Sequence, residues 1–204
     1  ILPRVPWTEH GDYCRRYQRD ERYPAAGRLQ RDARTMPAAD AAADGDGAGL
    51  VAHEHKGVQI TGLNCWENWM PLARTAMYST GSQIHVAAWP GSVGLTEDIT
   101  RFIAKEGRLF VVSVGAVYDS TMIPQDFPLL DQLGSEDKYH NGGTCIAGPD
   151  GTWVVEPNRG EKGIIWADLD LSEVSRQRQN FDPTGHYSRP DVLRLHIDRE
   201  RLAP

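Results

Sequence analysis

One cysteine in the sequence lies where a nucleophile is expected. Residues 57–63 form a strand-like apolar run and residues 67–79 follow a helical pattern, so Cys65 falls at the turn between them. A side chain on such a turn stands above the sheet edge, and backbone N–H groups at the start of the next helix point toward a bound group. Their partial positive charge favours thiolate over thiol. The position predicts nucleophilic chemistry, although a cysteine after an apolar strand is more often a core residue.

Strands and amphipathic helices alternate from about residue 44 onward. We predict strands over 49–53, 57–63, 83–89, 109–117, 143–147, 153–156 and 163–171. Helices are predicted over 67–79, over 96–105 with Thr96 as N-cap, and over 172–179. The turn-rich residues 180–193 are not expected to form a helix. This alternation predicts an α/β domain with helices packed on a sheet.

Composition and charge narrow the class of protein. The 204 residues are 40% hydrophobic and 25% charged, with a formal net charge of −6, which predicts no general attraction for nucleic acid or anionic membranes. No apolar run approaches the roughly 18 residues of a membrane span. Three cysteines without a Cys-x-x-Cys pair argue against a disulfide framework and a thiolate zinc site. We therefore predict a cytoplasmic, globular protein without a metal site.

The first part of the chain differs in character from the rest. In residues 1–34 arginines are scattered among tyrosines and acidic residues without a period, which indicates a solvated helix face or an irregular arm. We therefore divide the chain into an atypical N-terminal segment, 1–43, a domain with the regular strand–helix pattern, 44–195, and a tail, 196–204. The sequence begins with Ile1 and not with Met, so we expect that an upstream segment is missing.

Three motifs carry a family resemblance. Cys-Trp-Glu-Asn-Trp-Met-Pro-Leu-Ala-Arg begins at Cys65, Gln-Ile-His-Val-Ala-Ala-Trp-Pro-Gly spans residues 83–91, and a turn-rich segment spans 180–193. Together they resemble the nitrilase branch of the carbon–nitrogen hydrolase superfamily over about residues 45–195. The resemblance implies an α-β-β-α sandwich, here incomplete at the N-terminus, and no metal or organic cofactor. It also implies a homodimer or a larger spiral homo-oligomer.

The resemblance implies a hydrolase that converts an organic nitrile to a carboxylic acid and ammonia, with water as co-substrate. In such enzymes a Cys thiolate attacks the cyano carbon, assisted by a Glu base and a Lys, and a thioimidate and then a thioester form. Carried onto this sequence, Cys65 is the nucleophile and the backbone N–H of Trp66 is an oxyanion donor. Glu67 supports the site.

Other site residues follow from the same resemblance. Trp89, His140 and Asn141 are expected to contact the substrate. The lysine and the base of the family have no clean counterpart: Arg34 stands where the lysine is expected, and a planar guanidinium is not equivalent to an ammonium group. Lys138, in the long loop 119–141, is a second candidate for that role.

Alternatives remain open from the sequence alone. A sibling amidase activity would use the same nucleophile. A catalytically impaired or truncated subunit that acts in oligomer assembly would explain the altered N-terminal segment, as would a break in the reading frame before about residue 44. A Cys–His pair would use His85, His140 or His186 in place of the glutamate base.

Overall fold

A computed structural model describes residues 47–117, 122–124, 126 and 141–200 of the chain. Its centre is a six-stranded sheet in which the order across the sheet follows the order along the chain. The strands are β1 (His53–His55), β2 (Val58–Asn64), β3 (Ile84–Trp89), β4 (Phe110–Gly115), β5 (Cys145–Ala147) and β6 (Trp153–Val155). Strands β2, β3 and β4 are parallel, and the other neighbours are antiparallel.

Helices connect the parallel strands. The described residues form α1 (Pro71–Tyr78) between β2 and β3, α2 (Val93–Gly107) between β3 and β4, and α3 (Ser172–Asn180) after the sheet. Short 3₁₀ helices span Gly47–Gly49 and Cys65–Trp69. Two neighbouring parallel strands can be joined only by a crossover connection, which here contains a helix. Because such crossovers are right-handed and both proceed in the same direction across the sheet, α1 and α2 lie on the same face of the sheet.

The core lies between α2 and the middle of the sheet. Side chains of α2, such as Ile99 and Ile103, cluster with Ala87 and Trp89 of β3 and Val111 of β4. Ile103 is fully buried, and removal of such a side chain from water contributes about 2 kcal/mol. A smaller cluster joins β2 to the last turns of α1. The predicted α/β class is thus confirmed.

Several local predictions were wrong. Helix α2 begins at Val93 and not after Thr96, whose hydroxyl donates to the Ser92 carbonyl at 2.8 Å. The Asn141 side chain accepts from the Val93 N–H in that first turn at 3.1 Å, a contact across 48 positions that no local pattern reveals. Residues 163–171 are not a strand: they pair with no strand of the described sheet, and Ile164 is 95% exposed.

The hairpin between β1 and β2 turns one residue later than predicted. Lys56 and Gly57 both have positive φ, 50° and 82°, and His55 pairs with Val58. These angles define a two-residue turn of type I′, which matches the right-handed twist of the flanking strands. The first strand is correspondingly shifted to residues 53–55.

Candidate active site

The chain turns from β2 into the short helix Cys65–Trp69 without an intervening loop. Cys65 has φ 48°, in the left-handed region, which costs a residue other than glycine about 1–2 kcal/mol. Before it, the Asn64 N–H donates to the Glu67 carboxylate at 2.8 Å. The thiol is partly exposed. The fold thus presents one cysteine in a strained backbone conformation at the end of a parallel strand.

An apolar groove lies against Cys65. It encloses about 300 Å³ of empty space, including the solvent at its mouth, and its walls include the rings of Trp66, Trp69 and Trp89. Leu95 and Thr96 of α2 also line it, as do Pro90 and Gly91. Neither a carboxylate nor an ammonium group of the described residues lines this groove. Its chemistry suits the hydrocarbon part of a ligand better than a charged group.

A buried amide holds the turn from the inner side. Asn68 is fully buried, and its Nδ2 donates to the carbonyl oxygens of Leu63 at 3.0 Å and Cys65 at 3.1 Å. Its Oδ1 lies 2.9 Å from Nε2 of His85, and Nδ1 of His85 lies 3.0 Å from the Thr61 hydroxyl. Since the amide gives its hydrogens to the two carbonyls, Nε2 of His85 carries the proton and Nδ1 accepts from Thr61.

His85 is neutral in the folded protein. Burial, and then the positive charge of Arg74, lower its pKa to about 4. Both ring nitrogens are engaged, one by Asn68 and one by Thr61. Neither nitrogen is therefore available to take a proton from Cys65, and the arrangement does not favour a Cys–His pair that uses this histidine.

An arginine in α1 completes the network beneath the turn. Arg74 is 5% exposed; its Nη1 donates to the carbonyl oxygen of Asn68 at 3.1 Å and its Nε to the Glu106 carboxylate at 2.8 Å. The Tyr78 hydroxyl donates to the same carboxylate. Sequence analysis missed this network, although a charged residue within the apolar face of α1 and a histidine within an apolar strand were detectable signals.

The structure brings together only part of the predicted site. Trp66 and Trp89 line the groove with Cys65, whereas Asn141 holds the start of α2 and is not among the lining residues. Glu67 accepts from the Asn64 N–H beside Cys65, and its supporting role remains a prediction. The other predicted residues, Arg34, Lys138 and His140, lie outside the described residues.

The remaining described cysteine belongs to the core. Cys145 in β5 is fully buried, and burial raises the pKa of its thiol to about 11. A thiol with so high a pKa stays protonated at neutral pH and is a poor nucleophile.

Among the described residues, no group of three or more His, Cys, Asp or Glu side chains is placed to hold a metal ion. Nor does any helix in that part of the chain combine the length and apolarity needed to cross a membrane.

These features define an α/β protein with a cysteine at a strand-to-helix turn beside an apolar groove. Comparison with known families narrows that class, because the carbon-nitrogen hydrolase family model matches residues 15–179. The chain belongs to the carbon–nitrogen hydrolase family. The resemblance found in the three sequence motifs is thereby confirmed.

Curated relatives place the chain near nitrilases. It is 35% identical over 177 residues to an aliphatic nitrilase of Rhodococcus rhodochrous. The matched region covers 79% of this chain and 45% of that protein. A nitrilase of Pseudomonas syringae pv. syringae (strain B728a) is 37% identical over 167 residues, with coverage of 74% and 48%. The chain spans about half the length of the curated relatives it matches.

Solved structures share the fold at lower identity. A carbon-nitrogen hydrolase from Helicobacter pylori G27 superposes with a TM-score of 0.56 at 18% identity, covering 74% of this chain and 52% of that one. The C. elegans NitFhit protein gives a TM-score of 0.57 at 20% identity, covering 76% and 34%. At these identities the likeness concerns the fold alone.

Proposed function

We propose that this chain carries the nucleophile-bearing part of a nitrilase, which hydrolyses an organic nitrile to a carboxylic acid and ammonia. One observation carries the proposal: Cys65 stands at the end of a parallel strand, in a left-handed turn, beside an apolar groove. The relatives named nitrilase, at 34–37% identity, support the reaction class.

The reaction proceeds through a covalent bond to Cys65. Sulfur bonds to the cyano carbon while the thiol proton passes to the nitrile nitrogen, which gives a thioimidate. Water then adds and ammonia leaves, so that a thioester remains. A second water releases the carboxylic acid and restores the thiol. The Trp66 N–H, in the first turn of the short helix and without an intrahelical acceptor, is the donor for the charge that develops.

The groove selects the rest of the substrate. Its tryptophan rings and Leu95 contact the hydrocarbon part of the nitrile, and they exclude water that would otherwise screen the reacting atoms. Trp89 is 8% exposed at the end of β3 and forms the wall nearest the core. A shorter side chain there is expected to accommodate bulkier nitriles.

The test compares two cysteines of one chain. The protein is incubated with an arylaliphatic nitrile, an aliphatic nitrile and the matching amides, ammonia is measured, and mass added to each cysteine is located by peptide mapping. Cys65→Ser should abolish both ammonia release and the adduct, whereas Cys145→Ser, a change of similar size in the core, should retain them. Ammonia from amides alone would assign the sibling amidase activity. Neither ammonia nor an adduct on Cys65 would refute the proposal.

We also propose that Arg34 supplies the positive charge that the family obtains from lysine. Arg34→Lys should then retain or raise the rate of ammonia release, because the compact ammonium group is the family's own donor. Arg34→Met should lower it at least about tenfold, since one preorganised donor to a developing charge is typically worth more than that. Equal rates for the two variants would exclude Arg34 from the reaction.

A further inference from the structure

We infer that Asn68 and His85 are positioning residues that hold Cys65 in its reactive conformation. The inference rests on the proposed role of Cys65 as nucleophile, but it concerns residues that contact neither the groove nor the reacting atoms. It is carried by the hydrogen bonds beneath the turn and by the backbone conformation of Cys65.

The turn needs a restraint. A left-handed conformation at a residue other than glycine persists only where the surroundings hold it. Asn68 supplies this restraint, because its single amide group binds the carbonyl oxygens of Leu63 and Cys65 at once. Those two oxygens belong to the peptide units before and after the one that joins Asn64 to Cys65. Rotation of the Cys65 backbone toward a relaxed conformation would break at least one of the two bonds.

His85 fixes which end of the amide faces the carbonyls. If the Asn68 side chain were flipped, its oxygen would face two carbonyl oxygens and its nitrogen would face Nε2 of His85. The protonated Nε2 prevents that flip by donating to Oδ1 at 2.9 Å. In this tautomer the unprotonated Nδ1 lies 3.0 Å from the hydroxyl of Thr61, the neighbour of His85 across the β2–β3 pair. The strand register therefore determines the orientation of the amide.

The network is anchored in three parts of the fold. The Thr61 hydroxyl lies 2.8 Å from that of Ser82, which precedes β3, and Arg178 of α3 donates to the Ser82 carbonyl. From the other side, Arg74 of α1 donates to the carbonyl oxygen of Asn68. The turn is therefore held by hydrogen bonds to residues of several elements of the fold, as positioning of a nucleophile requires.

The test uses a conservative and a disruptive variant of the same residue. In His85→Gln the amide nitrogen takes the place of Nε2 and keeps the donor to Asn68; in His85→Leu the donor is lost. We expect kcat for nitrile hydrolysis to fall about 10- to 100-fold in His85→Leu with little change in KM, since misplacement by about 1 Å has effects of that size. His85→Gln should retain most of the rate.

A control separates positioning from loss of stability. Ile103→Ala removes a fully buried apolar side chain of α2 that takes no part in the hydrogen bonds of the network, and it destabilises the fold by a different route. The comparison is made at a temperature at which near-ultraviolet circular dichroism shows that all variants are folded. There the kcat of Ile103→Ala should remain close to that of the unsubstituted protein. Equal losses of kcat in Ile103→Ala and His85→Leu, or no rescue by His85→Gln, would overturn the inference.

A second readout does not depend on the nitrilase reaction. Amide hydrogen exchange of residues 62–70 should be faster in His85→Leu than in His85→Gln and Ile103→Ala, because the restraint on the turn is lost. If the unsubstituted protein neither releases ammonia nor forms an adduct on Cys65, the proposed function fails. Hydrogen exchange still decides whether the restraint on the turn exists, because unchanged exchange of residues 62–70 in His85→Leu would refute that restraint.

Discussion

The neutral state of His85 predicts how the stability of the protein depends on pH. Burial and the charge of Arg74 lower its pKa in the folded state to about 4, against about 6.5 in the unfolded chain. Between these values the unfolded chain binds a proton that the folded protein does not. The free energy of unfolding therefore falls as the pH falls from 6.5 to 4, and this loss amounts to about 3 kcal/mol at pH 4.

The variant His85→Gln isolates this effect. Urea-induced unfolding, followed by tryptophan fluorescence at several pH values from 7 to 4, should show a smaller loss of stability in the variant, by about 3 kcal/mol. The lowered pKa values of Asp150 and Asp182 are common to both proteins and cancel in the difference. His55→Gln, on the exposed strand β1, should follow the unsubstituted protein. Parallel stability curves for His85→Gln and the unsubstituted protein would show the reasoning to be wrong.

Three further substitutions probe the turn and its support, each measured by urea or thermal unfolding. Cys65→Gly should be more stable than Cys65→Ala by roughly 0.5–1 kcal/mol, because relief of the left-handed strain exceeds the entropy that glycine adds to the unfolded chain. Gly107→Ala should cost about 1–3 kcal/mol, since its methyl group would overlap the Tyr78 ring, whereas Gly94→Ala in the same helix meets no neighbour and should not destabilise. Arg74→Met should cost about 2 kcal/mol, because the buried carbonyl oxygen of Asn68 loses this donor and the Glu106 carboxylate, which keeps the Tyr78 hydroxyl, loses its ion pair. It should also raise the pKa of His85 toward its ordinary value and so reduce the loss of stability in acid.

The order of strands and helices was predictable because each reflects a local pattern. Continuous apolar runs mark β3 and β4, which are covered by helices, and the apolar spacing of α2 marks its buried face. Boundaries set by distant residues were not predictable. The start of α2 depends on Asn141, and the 163–171 segment has strand-like alternation but no pairing partner among the described strands.

The position of Cys65 was predictable for the same reason, since a strand and a helix meet there in the sequence. Its backbone strain was not, because no residue type announces a left-handed cysteine. The supporting residues were also hidden. Asn68 and His85 are 17 positions apart, and only the parallel register of β2 and β3 places the ring beneath the turn. Side-chain networks of this kind depend on tertiary contacts that periodicity does not encode.

The inward bonds of the turn also bear on the charge that develops at the substrate. Each peptide unit has a negative carbonyl end and a positive N–H end. Because the carbonyl oxygens of Leu63 and Cys65 accept from the buried amide of Asn68, the negative ends of these units are engaged on the inner side of the turn. In the proposed reaction, charge that develops on the substrate nitrogen or oxygen is then opposed by fewer lone pairs and meets the amide hydrogens of the short helix. If Cys65 is the nucleophile, as proposed, the amide of Asn68 has two roles: it restrains the turn that carries the thiol and it favours the electrostatics of the reaction.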